Sequence, residues 1–163
     1  MTYDGINTLY DKIKDNLSNF YFIDIGSGRG KLCLYMADNV LCLKSVGIEL
    51  VTERHNDAQS LKDKLGEFTE IISKVEFINK SIEDVDLRDI LDNNTAFIWI
   101  SNLCLSPELT NKMFLKIKQE VKAGSIICCS KEFNDSKIVM NKLGTITIPM
   151  SWSDISNVFL YQV

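Results

Sequence analysis

Apolar runs of strand length alternate with stretches of helical period along most of this chain. Ile6, Leu9, Tyr10, Ile13 and Leu17 fall on one face of a helix spanning 5–18, because residues three and four apart share a helical face. Residues 20–25 then read as a buried strand and 30–39 as a helix. The pattern repeats with strand 44–49 and helix 52–65, strand 75–79 and a short helix at 86–92, strand 96–101 and helix 107–122 opened by Pro107, and strand 125–130. Strands that are apolar throughout and separated by helices indicate a parallel sheet covered on both faces. After Lys131 the alternation stops. Residues 134–142 read as a short helix or loop, and 144–148 and 157–163 as two strands with no helix long enough to cross between them, so they should pair antiparallel. The expectation is one α/β domain over residues 1–163, with five parallel strands, an antiparallel terminal pair and helices on both faces.

Composition adds exclusions. A length of 163 residues with 45% hydrophobic and 25% charged side chains suits a single buried core. A mean hydropathy of zero and two prolines argue against disorder. No apolar run approaches the ~18 residues of a membrane span, and residues 1–5 carry no signal-peptide pattern. The five cysteines are odd in number and lack C-x-x-C spacing, and His55 is the lone histidine. This predicts a reducing intracellular setting, cytoplasmic or nuclear, with no metal site. A net charge of -4 and a pI near 5.0 give no general attraction to phosphate backbones, so no nucleic acid is expected as an obligate partner. We expect no membrane association, and a monomer.

Chemistry enters at residues 22–31, where a buried strand runs into Asp24-Ile-Gly26-Ser27-Gly28-Arg-Gly30 and opens a helix. Glycines permit positive φ and close backbone approach to a ligand. The G-x-G-x-G spacing lacks the third glycine of the dinucleotide fingerprint, and no G-x-x-x-x-G-K-[ST] is present. Glu49 ends the second strand 25 residues after Asp24, where a carboxylate can accept both hydroxyls of a ribose. The set suits a ligand with an adenosine ribose and an ammonium-bearing tail, and S-adenosylmethionine fits; a tight turn beside a solvated carboxylate is the bland alternative. Five strand–helix units with an antiparallel end also form the seven-stranded, Rossmann-like sheet of class I methyltransferases. Asn102 ends the fourth strand, where an acceptor would be held. It could equally cap the helix at Pro107 or satisfy its loop. Leu103-Cys104-Leu105 follows it, in place of the Pro-Pro-aromatic clamp used for flat bases and amides.

These segments resemble the Dot-one (disruptor of telomeric silencing) family, histone-lysine methyltransferases with the class I fold in place of the SET fold. Phe22-Ile-Asp-Ile-Gly-Ser-Gly28 is similar to its Phe-Val-Asp-Leu-Gly-Ser-Gly loop, and Val46-Gly-Ile-Glu49 to its Gly-Val-Glu strand end. Ser101-Asn102-Leu-Cys-Leu-Ser-Pro107-Glu108 resembles Asn-Asn-Phe-Ala-Phe-Gly-Pro-Glu, Ser130-Lys131-Glu-Phe133 resembles Ser-Lys-Pro-Phe, and Met150-Ser-Trp152-Ser resembles Val-Ser-Trp-Thr. The resemblance implies that Asp24, Gly26, Ser27, Gly28 and Gly30 bind the methionine part of the donor and Glu49 the ribose. It implies that Asn102 orients the amine beside the donor, and that Phe133, Trp152 and Phe159 wall the acceptor channel. Ser81 and Ile82 stand where the family has an adenine-binding Asp-Phe. Ser101 replaces the first asparagine, Lys31 a glutamine, and Phe159 a tyrosine. The implied activity is S-adenosylmethionine-dependent methylation of a lysine side chain in a basic, histone-like protein. A class I enzyme for RNA or a small molecule, or a donor-binding inactive module, are the alternatives.

Overall fold

The structure is a computed structural model, and it describes the chain apart from residue 41, residues 67–68 and residues 134–137. Helix α1 (Tyr3–Ile13) opens with Thr2 accepting a hydrogen bond from the Gly5 N–H at 3.0 Å, and a 3₁₀ turn at Lys14–Asn16 follows it. Four strand–helix steps come next: β1 (Phe20–Ile25) with α2 (Lys31–Asn39), β2 (Lys44–Ile48) with α3 (Thr52–Lys64) and α4 (Thr69–Ser73), β3 (Val75–Ile78) with α5 (Leu87–Leu91), and β4 (Thr95–Ile100) with α6 (Pro107–Glu120). Strand β5 (Ile126–Cys129) precedes a hairpin of β6 (Asn141–Met150) and β7 (Ser153–Gln162).

The strands form one seven-stranded sheet in the order β3-β2-β1-β4-β5-β7-β6. Strands β1 to β5 are parallel, while β7 runs antiparallel to both β5 and β6. The five parallel strands and the antiparallel pair match the sequence pattern. Chain order reverses beside β1, which pairs with β2 on one side and β4 on the other. Such a switch point leaves a crevice at the carboxyl ends of the two central strands.

Side-chain alternation sends each strand's residues to two cores. Phe20, Phe22, Phe97 and Cys128 pack under α1 and α2, while Ile23, Ile25, Ile98, Ile100 and Ile127 pack under α5 and α6. On the α1 side the rings of Phe20 and Phe22 lie 6.4 and 5.1 Å from that of Phe97. On the α6 side Phe114 stacks on Phe133 at 4.2 Å, with Tyr161 edge-on to both.

Three features differ from the sequence reading. The first helix is shorter than 5–18, α4 is additional, and the terminal strands run ten residues each instead of five and seven. Met150 pairs with Ser153, so Ser151-Trp152 is a two-residue turn, and neither residue has positive φ. Such turns usually carry Asn-Gly or Asp-Gly, so this one has no sequence signal. Of the short helix or loop expected at 134–142, residues 134–137 lie outside the described residues, and 141–142 open β6. Among the described residues no helix is long and apolar enough to cross a membrane.

Phe97 is fully buried between two aromatic rings, so Phe97→Ala should cost about 3–5 kcal/mol. Urea unfolding should show a lower midpoint with an unchanged slope.

Candidate active site

The loop after β1 is held to β2: Ile48 O accepts from the N–H groups of Gly26 at 2.8 Å and Ser27 at 3.1 Å. Its glycines do different things. Gly30, at φ +73°, lies so close to α3 and β3 that a Cβ would stand 2.4 Å from the Phe77 ring and 2.8 Å from Ala58. Gly28, at φ +55°, faces open space. Left-handed backbone is costly for any residue with a Cβ, so the turn needs glycine there.

Glu49 is 5% exposed and grips the loop. Its Oε2 accepts from the Gly28 N–H and its Oε1 from the Val51 N–H, both at 2.8 Å. Each oxygen keeps a further lone pair. Asp24 is 4% exposed. Burial pushes its carboxyl up to about 7; the ammonium of Met1 draws it down and Glu49 pushes it higher. The Ser27 hydroxyl is buried with no hydrogen-bond partner among the described residues. A buried carboxylate and an unpaired hydroxyl fit a ligand tail that brings a cation and donors.

Two cavities open at the carboxyl edge of the sheet. One, of about 350 Å³, is lined by Asp24, Gly26, Ser27, Lys31, Trp99, Ser101 and Trp152. The other, of about 330 Å³, is lined by Leu103, Ser130, Met150, Trp152 and Phe159, with Lys131, Glu132, Ser156 and Asn157. Trp152, 53% exposed in the hairpin turn, is common to both. Glu132 pairs with Lys142, whose ammonium lies 5.4 Å from the centre of the Phe159 ring.

Asn102 is fully buried, and its amide faces neither cavity. Its Nδ2 donates to Lys131 O at 3.0 Å and its Oδ1 accepts from the Lys131 N–H at 2.8 Å. It does not cap α6; Ser106 does, accepting from Leu109 N–H at 3.2 Å. Asn102 thus spends both polar atoms of its amide on the main chain of Lys131, a residue that lines the second cavity.

The structure brings Trp152 and Phe159 together but separates Phe133 from them. Phe133 lines neither cavity, because its ring is stacked on Phe114 in the α6-side core and its N–H donates to the Tyr161 hydroxyl at 3.0 Å. Ser81 caps a 3₁₀ turn by accepting from the Glu83 N–H at 3.3 Å, and Ile82 is buried in the α6-side core. The turn follows β3, next to Glu49, whose carbonyl accepts from Asn79 Nδ2 at 2.9 Å. Neither residue lines the two cavities. Trp99, Ser101 and Ser130 were missed from sequence. Strand parity could have found them, since Trp99 pairs in register with Asp24 and Ser130 continues the row of Ile126 and Cys128.

Fold and loop together define the class I methyltransferase fold. Solved structures with this fold include an RNA methyltransferase from Salinibacter ruber with S-adenosyl-L-homocysteine. It has a TM-score of 0.73 and 14% identity, over 100% of this chain and 92% of that one. TrmK of M. capricolum, with the same product, gives 0.66 and 11%, over 99% and 68%. The family of histone methylation protein DOT1 matches residues 1–158, and the chain belongs to it. A relative in Caenorhabditis elegans, a histone-lysine N-methyltransferase specific for H3 lysine-79, is 30% identical over 120 residues. That match spans 71% of this chain and 13% of the relative.

The raised Asp24 carboxyl has a consequence for stability. The folded chain holds a proton that the unfolded chain releases near pH 4, so the Asp24 contribution to stability should be full below about pH 4 and be lost as pH rises to about 7. Asp24→Asn removes the charge and should exceed wild type by on the order of 2–4 kcal/mol at pH 8, with a flatter pH profile. Urea unfolding at pH 4.5, 6 and 8 checks the sign.

Proposed function

We propose that this protein transfers a methyl group from S-adenosylmethionine to a lysine side chain of a basic, histone-like protein. The match to the DOT1 family over residues 1–158 carries the reading. The two adjoining cavities support it, being the arrangement a donor and an acceptor need. When bound, the donor supplies the methyl group: the amine's lone pair forms the new bond to carbon as the carbon–sulfur bond breaks, leaving its electron pair on sulfur.

In this reading Asp24 faces the donor's ammonium, which compensates a charge that burial otherwise disfavours. Glu49 uses its remaining lone pairs for the ribose hydroxyls. Gly26, Ser27, Gly28 and Gly30 form the cradle for the tail, and Ser81 and Ile82 lie toward the adenine end. Lysine needs a neutral amine to attack, since an ammonium has no free lone pair. Trp152, Phe159, Leu103 and Met150 give the second cavity a largely apolar wall, which disfavours the charged form of an amine whose ordinary pKa is near 10.4. In-line methyl transfer requires little acid–base help, so holding donor and acceptor ~3 Å apart and excluding water supply most of the rate. The cation on Lys142 and the anion on Glu132 stand at the rim, where charges on a substrate would meet them.

Titration calorimetry with the donor should show Glu49→Ala weakening binding by about 1.5–3 kcal/mol, and Gly28→Val abolishing it by strain and by filling the cradle. Wild-type affinity in either variant would remove the donor site from this loop.

The acceptor is decided by labelled-methyl transfer to histones, small basic proteins and RNA, followed by amino-acid analysis. Label on lysine, at a rate climbing between about pH 7 and 9 as more amine is neutral, is the expected result. Label only on RNA, carboxylates or a small metabolite would replace this reading.

A further inference from the structure

We propose that the Ser130 hydroxyl receives the acceptor amine, accepting a hydrogen bond from its N–H and so aiming the nitrogen lone pair toward the donor. This deepens the lysine-methylation reading and rests on it. Three observations on this side chain converge. Ser130 is 9% exposed, and its Oγ is buried with no hydrogen-bond partner among the described residues. Buried hydroxyls are normally paired, and an unpaired one costs about 1–3 kcal/mol. It lines the second cavity beside Trp152 and Phe159. Its parity along β5, in the row of Ile126 and Cys128, directs it to the α1 side of the sheet, the side on which Asp24 and Trp99 line the first cavity.

The other polar groups in and behind that wall do not fill the role: Ser156 is half-buried and Asn157 exposed, so neither is sealed from water, and Asn157 Oδ1 already accepts from the Thr147 hydroxyl at 3.4 Å. Both ends of the Asn102 amide are engaged by the Lys131 main chain. Lys131 has no acceptor, and Glu132 is paired with Lys142. Charge also matters. A carboxylate would stabilise the ammonium and keep the proton on the nucleophile, whereas a neutral hydroxyl oxygen holds an N–H without that penalty. A hydroxyl contact of this kind needs an N–H on the acceptor. An unmodified amine supplies two and a monomethylated amine one. A neutral dimethylated amine has none, so Ser130 should assist the first and second transfers and not the third.

The test uses probe amines on the protein saturated with S-adenosylhomocysteine, followed by NMR, with melting temperature as the folding control. Wild type should bind n-butylamine. Ser130→Ala should weaken that binding about 5–10-fold, while Ser130→Thr, which keeps the hydroxyl, should stay near wild type. Binding of trimethylbutylammonium, which has no N–H, should be unchanged by Ser130→Ala. In turnover, Ser130→Ala should lower kcat/KM on a lysine peptide by a similar factor and leave the rate on the dimethyl-lysine peptide unaltered. Equal losses for both probe amines, no loss for n-butylamine, or no wild-type binding of it would overturn the assignment. Ser130-dependent amine binding without any methyl-lysine product would uphold the assignment and discard the lysine-methylation reading. Lysine methylation indifferent to Ser130→Ala would do the reverse.

Discussion

The amide of Asn102 exchanges both of its polar atoms with the main chain of Lys131, and the shape of the candidate site follows from that reciprocal pair. Strands β4 and β5 pair in register only as far as Ile100 and Cys129. Beyond them one chain leaves toward α6 and the other toward the hairpin. A fully buried amide joins the two where the ladder has ended, in surroundings that strengthen each hydrogen bond. Ser101 and Ser130 sit beside this joint, one lining each cavity. The side chain that ties the two strand ends together therefore lies outside both linings.

Around β1 the requirements of fold and site conflict. The α1-side core is aromatic and dry, with Phe20, Phe22 and Phe97 among its fully buried members. Asp24 continues the same row of that strand and is buried with them. An isoleucine there would extend the core, whereas burial disfavours the ionised form of a carboxylate. Sequences that specify one fold consistently tend to break their own rules at functional positions, and the proposed donor contact would make Asp24 such a break.

The five parallel strands and their helices were legible because apolar runs and helical period come from burial, which the sequence carries residue by residue. Asp24, the glycines and Glu49 were legible for a related reason: chain order alone places them at the crevice. The hairpin's length was not, since Ser151-Trp152 lacks turn chemistry and polar residues such as Asn157 and Ser156 interrupt the strand pattern. Helix α4 is five residues long, too short for a period to show. Asn102 was found and its partner was not, because that partner is backbone and leaves no residue type to recognise. Phe133 had the right composition for a channel wall, but only packing could show that Phe114 and Tyr161 claim its ring.

The sheet ends at β6, and among the described residues that strand pairs with β7 alone. An unpaired ladder is a template for another molecule's strand, and natural sheets blunt such edges with lysine, proline and bulges. Strand β6 has all three. Its register slips between Lys142 and Gly144 and between Ile148 and Met150. Pro149 offers no N–H, and its carbonyl is already taken by the Thr2 hydroxyl at 2.9 Å. That leaves only the short stretch from Gly144 to Ile148 open, half of the ten-residue strand. The guards at either end thus keep a long, β-branched edge from seeding fibrillar stacking.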